Sequence, residues 1–399
     1  MSAGARPLEG LRVLEMGQLL AGPFAGCVLG YFGAEVIKIE PRGGDPIRGW
    51  REVRDGTSLW WASLARNKKS VTLELGTPRG QELARALAAR SDVLIENFRP
   101  GTLEKWGMGP AELKALNPEL VVARVSGYGQ TGPYAAQPGF ASVCEGFAGF
   151  RHLNGFPDRA PVRPNLSMGD TLAGLHAVLG ILLALTARQR GKAAGGQVVD
   201  VAIYESVFNM LESVVPEYDG AGVVREPSGS TITGIVPTNT YLCADGKYVI
   251  VGGNGDSIYQ RLMRAIGRPQ MAADPRYATN AKRVENEKDI DDAISAWTGA
   301  RDSAAVLETL RKAEVPNGPI YNVADMMADP HFNARGMFES VEVNGKPLKI
   351  PAIPPLLGET PGRTDAPGPA LGAHTDEVLE SLLGLQADER AALRAAGAI

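Results

Sequence analysis

Histidine and cysteine are scarce in this chain, at four and three among 399 residues. Cys27, Cys144 and Cys243 are widely spaced with no CxxC pair, which argues against a disulfide framework and a thiolate metal site. His152, His176, His331 and His374 form no HxH or HExxH set, so no metal is expected, and His176 reads as a core residue. Positive charge is not in excess either. The 41 Lys and Arg stand against 45 Asp and Glu, a net charge of -4, so nucleic acid is not an expected partner. No long uninterrupted apolar run occurs. The most apolar segment, residues 172–187, contains His176 and falls short of the ~20 residues a bilayer requires, so it reads as a buried helix and no membrane association is expected. The opening MSAGARPLEGLRVLEMG lacks the apolar stretch of an export signal, and a reducing, cytoplasmic setting is expected. No GxGxxG follows the first strand, which removes the main argument for a nicotinamide or flavin enzyme. GxSxG is missing too, leaving serine hydrolase chemistry unsupported.

What is present suits a globular protein: 44% hydrophobic and 22% charged residues, on a chain long enough for one large domain and a smaller one. Residues 11–15 (LRVLE) and 35–40 (EVIKIE) read as strands around a helix at 23–32, a βαβ unit that implies a parallel sheet. The pattern recurs, with strands at 92–96, 120–126 and 197–203, helices at 77–89, 111–116 and 204–211, and a long helix at about 171–188. Each strand delivers a polar or glycine-rich loop at its C-terminal end, where open α/β sheets place ligands. The texture changes near residue 220. A strand at 247–252, helices at 258–266 and 304–313 and a charged stretch at 281–297 describe a smaller, largely helical domain. Beyond it come turns and edge strands, with Gly345 marking a hairpin, and a final helix at 375–383.

Asp170 stands immediately before an apolar helix. It reads either as an N-cap that accepts amide hydrogen bonds or as a carboxylate nucleophile held near helix amides, and the two are compatible. Arg66-Asn67-Lys68-Lys69, together with Arg99 and Lys105 around Asn97-Phe98, reads either as a phosphate-binding cluster or as a solvated charge run. Gly252-Gly253-Asn254-Gly255 reads as a mobile flap, as oxyanion donors or as an ordinary turn.

The stretches GLRVLEMGQLLAGPFAG, LGYFGAEVIKIEPRGGD, ARNKKSVTLEL, SDVLIENFRPGTLEKWG, LVVARVSGYGQTGP, SMGDTLAG, QVVDVAIYESV and LGAHTDEVL occur in one order along nearly the whole chain. In this series the chain resembles the class III coenzyme A (CoA) transferases, the family that includes formyl-CoA transferase and carnitine CoA-transferase. The resemblance implies an α/β fold with a large Rossmann-like parallel-sheet domain built from both chain ends, residues 1–220 and 326–399. It implies a smaller domain at 221–325 and an interlocked homodimer. Asp170 falls on the catalytic aspartate, which would pass through an aspartyl anhydride and an aspartyl-CoA thioester. Leu19, Leu20, Ala21, Arg42, Lys68, Asn97, Phe98 and Lys105 are the implied CoA contacts, and Gly252, Gly253 and Gly255 the implied glycine loop. CoA and acyl-CoA are then substrates, with no tightly bound cofactor. Succinyl-CoA as donor and a C4 to C6 dicarboxylate as acceptor are expected, with Arg151, Arg163 and Arg225 as candidate clamps. The same fold houses α-methylacyl-CoA racemases, but their histidine is absent from Gly139-Phe140-Ala141, which argues against proton abstraction. An idle CoA-binding homologue is the remaining alternative. Ala141 also stands where many transferases carry an acidic residue.

Overall fold

The computed structural model describes residues 4–399. The chain forms two compact units. The first comprises the chain up to Phe150, Pro164–Glu212 and His331–Ile399, and the second Arg151–Arg163 and Ser213–Pro330.

Six strands build the sheet of the first unit: β1 (Arg12–Glu15), β2 (Glu35–Glu40), β3 (Lys68–Thr72), β4 (Val93–Glu96), β5 (Val121–Ser126) and β6 (Val198–Ala202). All pair in parallel, in the order β3-β2-β1-β4-β5-β6. The chain works outward from β1 to one edge, returns to β4 and works outward to the other. In sheets of this order the loops leaving β1 and β4 diverge, and the gap between them is where ligands bind. The central strands are buried on both faces because helices cover both, as in parallel sheets generally, and Glu15, Lys38, Glu96 and Arg124 are buried with them.

β3 was not anticipated, since its lysines read as a charge cluster. Alternation explains it: Lys68 and Ser70 point inward, while Lys69 turns outward to Glu35 at 2.9 Å and Glu377 at 2.8 Å. The chain's own tail covers this edge. The Ser70 amide donates to His374 Nδ1 at 3.1 Å, the His374 amide donates to the Ser70 carbonyl at 2.9 Å, and the Thr72 amide donates to Thr375 Oγ1 at 3.0 Å. Both chain ends thus build the large unit, as the resemblance implies.

Three helices matter for the site: α1 (Ala21–Tyr31), α2 (Ala141–Phe147) and α3 (Met168–Gln189). At 22 residues α3 exceeds the apolar run read from sequence, because its polar ends continue the helix. By length and composition it could cross a membrane, and 44% of its apolar window is buried within the fold. Its buried face, Ala173, Gly174, Ala177 and Ile181, packs in the same core as Ala21 and Ala25 of α1. A Cβ on Gly174 would lie 2.8 Å from the Ala21 carbonyl oxygen, so the two helices approach to backbone contact there.

The second unit has a three-stranded antiparallel sheet, Thr238–Leu242, Tyr248–Gly252 and Asn317–Pro319, covered by helices Asp256–Ala265, Glu287–Thr298 and Ser303–Lys312. Val249, Val251, Leu262, Ile290, Ile294, Val306 and Leu310 fill its core. Its boundary falls before Ser213 rather than near residue 220, and it takes in residues 151–163, which were assigned to the large domain. Long-range pairings with no local sequence mark cause the difference: the Gly229 amide donates to the Gly155 carbonyl at 2.9 Å, and His152 lies 3.3 Å from Glu226.

Gly174→Ala is expected to lower stability by about 1–3 kcal/mol through the α1–α3 contact, read as a lower urea midpoint. Gly43→Ala, where a methyl meets nothing within 4 Å, serves as the silent control. An unchanged midpoint in Gly174→Ala would mean that the helices do not meet so closely.

Candidate active site

The loops that diverge after β1 and β4 wall a cleft. Gln18, Leu19, Leu20 and Ala21 form one side and Asn97, Phe98, Arg99 and Pro100 another, with the end of β5, residues 137–140, Asp170 and Ile203 completing it. Leu19, Leu20, Ala21, Asn97, Phe98 and Asp170, all singled out from sequence, therefore meet here. Arg42, Lys68 and Lys105 do not line this cleft, and Arg42 and Lys105 are exposed elsewhere on the unit.

Side chains from neighbouring strands fix the first loop. The Gln18 amide donates to Asn97 Oδ1 and Asn97 Nδ2 donates to the Gln18 carbonyl, each at 2.8 Å, so one amide side chain ties the two loops together. Gly17 is required beneath this clamp, since a Cβ there would lie 2.9 Å from Asn97 Oδ1. Leu19 has φ 64, a left-handed conformation costing an L-residue about 1–2 kcal/mol. Its amide donates to the Asp45 carboxylate at 3.1 Å, which holds it there.

Asp45 ends a buried chain of alternating charges: Asp45 to Lys38 at 2.9 Å, Lys38 to Glu15 at 3.0 Å, and Glu15 to Lys68 at 2.7 Å. The two ammonium groups also donate to backbone, Lys38 to the Gly17 carbonyl at 2.8 Å and Lys68 to the Pro23 carbonyl at 2.7 Å. At Lys38 burial is outweighed by the Glu15 and Asp45 carboxylates, so its pKa is raised. At Lys68 burial prevails over Glu15 and lowers it. Lys68 was expected near CoA phosphates. With its side chain 1% exposed and occupied by Glu15 and Pro23, it instead holds the loop from below. The inward-facing phase of β3 sets that role.

Asp170 is the third residue of α3. The helix begins at Met168 with Ser167 as N-cap, so the reading of Asp170 as the cap itself is not what the structure shows. The carboxylate is half-buried in the first helical turn, where the helix dipole favours negative charge. Gly169 lets the turn come close, because a Cβ there would lie 3.0 Å from Ile203 Cγ2 and 3.4 Å from Glu145 Cγ. Glu145, fully buried on α2, accepts the Gly169 amide at 3.1 Å. Sequence reasoning missed it. The acidic group missing at Ala141 has a counterpart one helical turn further on, and only knowledge of the helix could relate the two positions. Beside them the Cys144 thiol is pushed up to about 11 by burial and by the Asp170 and Glu145 charges, so it stays protonated.

Beneath the second loop, buried Glu96 accepts the Phe98 amide at 2.7 Å and Arg124 Nε at 2.8 Å. Burial pushes its carboxyl up to about 7 against the pull of Arg124. The Phe98 ring meets Trp106 edge to face at 5.2 Å, which fixes an aromatic wall.

The glycine loop lies in the second unit and is tied down. The Gly252 amide donates to the Pro316 carbonyl at 2.9 Å and the Gly253 amide to the Pro237 carbonyl at 2.8 Å, while Arg283 donates to the Asn254 carbonyl at 2.6 Å. A Cβ on Gly253 would lie 2.6 Å from Leu262, so close packing accounts for that glycine. The Gly252 and Gly253 amides are spent on backbone carbonyls and do not offer an oxyanion hole in this conformation. Arg225, a candidate acid clamp, is paired with Glu217 and donates to Ser213 at 2.7 Å, which leaves it engaged within the second unit.

Lys68→Met should leave Glu15 facing Lys38 alone and cost about 3–5 kcal/mol, the penalty for breaking a buried ion pair. Because the loop shifts as a body, KM should rise alike for an acyl-CoA donor and for its 3′-dephospho analogue. A rise confined to the acyl-CoA that carries the 3′-phosphate would restore Lys68 as a phosphate contact.

A family model described as CoA-transferase family III matches residues 8–375. A succinyl-CoA–D-citramalate CoA-transferase of Chloroflexus aurantiacus is 48% identical over 393 residues, 98% of this chain and 97% of that protein. A succinate–glutarate CoA-transferase of Agrobacterium fabrum is 35% identical over 386 residues, covering 94% of this chain and 96% of the relative. Among solved structures, a CAIB/BAIF family protein from Brucella suis superposes with a TM-score of 0.82 at 34% identity, covering 95% of this chain and all of the other. With Asp170 set beside the β1 and β4 loops on a sheet of this order, the match in sequence and in structure agrees: the chain belongs to CoA-transferase family III, a family of enzymes.

Proposed function

We propose that this enzyme moves CoA from succinyl-CoA to a C4 to C6 dicarboxylic acid, with Asp170 as the covalent carrier. The observation that carries the reading is the half-buried Asp170 carboxylate opening onto the cleft between the β1 and β4 loops. Relatives named for citramalate, malate and glutarate support the acid class.

An Asp170 oxygen attacks the thioester carbonyl, the C–S bond breaks, and CoA leaves as a thiolate from a mixed anhydride. The thiolate then attacks the Asp170 carbonyl carbon and expels succinate, leaving aspartyl-CoA. The acceptor carboxylate attacks that thioester and releases the thiolate again. The thiolate finally attacks the acceptor's carbonyl and frees Asp170. Every step exchanges one acyl bond for another with no net proton transfer. That fits a cleft whose lining residues include no histidine. Racemisation would need an acid and a base about the α-carbon, and Phe140 occupies the position of the racemase histidine.

A homodimer belongs to the same proposal. Leu175, Leu179 and Leu183 form an exposed stripe at helical spacing on α3, and Val198 is exposed on the neighbouring edge strand β6. A second copy of the chain would cover this stripe, and mass in solution should be twice that of the single chain. A monomeric mass would remove the dimer from the proposal.

Asp170→Ala should fold and bind CoA yet lose about 10⁴-fold or more in turnover. Hydroxylamine added to the wild type during turnover should leave a hydroxamate at Asp170, located by mass spectrometry. Modification elsewhere, or an active Asp170→Ala enzyme, would refute the covalent route.

A further inference from the structure

A second cavity of about 580 Å³ borders the first turn of α3, within the roughly 300–1,000 Å³ of small-molecule sites. Ser167, Met168 and Thr171 line it, while Asp170, between them in sequence, lines the cleft described above. Leu20 borders both spaces. One helical turn and one leucine side chain therefore separate the candidate nucleophile from a largely apolar chamber.

Two cations face this chamber. Arg66 is buried and already committed, donating to the Ser63 carbonyl at 2.7 Å and the Pro351 carbonyl at 2.6 Å. Arg51 differs: it is exposed, and among the described residues it forms no ion pair. Its guanidinium lies over the Trp60 ring, 5.3 Å from the centroid, which steadies the group while leaving its N–H donors available. The backbone beneath it is strained. Arg51 has φ 62, a conformation glycine adopts freely and an L-residue resists. Bonds on either side hold it there, Ser58 Oγ donating to the Trp50 carbonyl and the Leu59 amide to the Glu52 carbonyl, each at 2.9 Å. Stability alone would favour glycine at this position.

We infer that this chamber receives the chain and distal carboxylate of the acid that reacts at Asp170, with Arg51 as the residue that selects dicarboxylates. The inference rests on the CoA-transfer reading. A dicarboxylate would bring one carboxyl to Asp170, pass its methylenes by Leu20 and pair its far carboxylate with Arg51. A monocarboxylate would leave Arg51 solvated, as it already is, and lose only that contact.

The test measures kcat/KM of acceptor acids, glutarate and adipate against pentanoate and hexanoate, with succinyl-CoA as donor. In a double-displacement reaction the acceptor's kcat/KM reports only the half in which it reacts, so an effect on the donor does not confuse the reading. Arg51→Ala should lower the dicarboxylate values by about 10- to 100-fold and leave the monocarboxylate values within about twofold. Arg51→Lys should fall between. Arg51→Gly should lose the same selectivity while its unfolding midpoint stays at or above that of the wild type, because the strain is released. An equal fall for both acid classes, no fall for either, or a wild type indifferent between the classes overturns the inference. A wild type that exchanges CoA with no acid at all defeats the underlying transfer reading, and this inference with it.

Discussion

The buried chain Asp45, Lys38, Glu15 and Lys68 is the constraint on which the site depends. Four formal charges lie under one loop, and each cation spends a further donor on that loop's backbone. Burying isolated charges is expensive, so such a chain persists only while every member is matched. Its match is geometric as well as electrical. The Leu19 amide, the Gly17 carbonyl and the Pro23 carbonyl are all fixed from below, so the segment entering α1 has little freedom to relax. A loop without the glycines of a dinucleotide fingerprint thus keeps a left-handed leucine at the rim of its cleft.

Rigidity of this kind suits the covalent transfer between acyl groups proposed for this cleft. Successive intermediates differ little in charge, and rate then depends on holding carbonyl carbon, carboxylate and thiolate within reach of one another. The Asn97 clamp, the Glu145 bond to Gly169 and the Glu96 bond to Phe98 all act on backbone. They hold three loops that come from far apart in the chain.

Much of the fold was legible because β-branched residues mark the strands: VLIE is an apolar run closed by one charge, and EVIKIE sets Val36, Ile37 and Ile39 among three charges. The strand KKSVT was not, because two adjacent lysines look solvated until alternation and a buried Glu15 are known. Asp170 was legible as a residue, and its place in the helix was off by most of a turn because the true start lies three residues earlier than read. Glu145 and Asp45 escaped notice since each gains its meaning from a partner distant in sequence. Lys68 shows the converse. A motif can mark a position correctly while leaving open whether its side chain looks toward the ligand or away from it.

The two margins of the six-stranded sheet are treated differently. Beside β3 the polypeptide seals itself with His374 and Thr375, whereas among the described residues β6 ends the strand order with no further strand beside it. Association through the unsealed margin would consume it in both copies at once, leaving no second sticky border for a third. In the proposed dimer, the margin that the chain seals with His374 and Thr375 would leave no second edge open to strand addition.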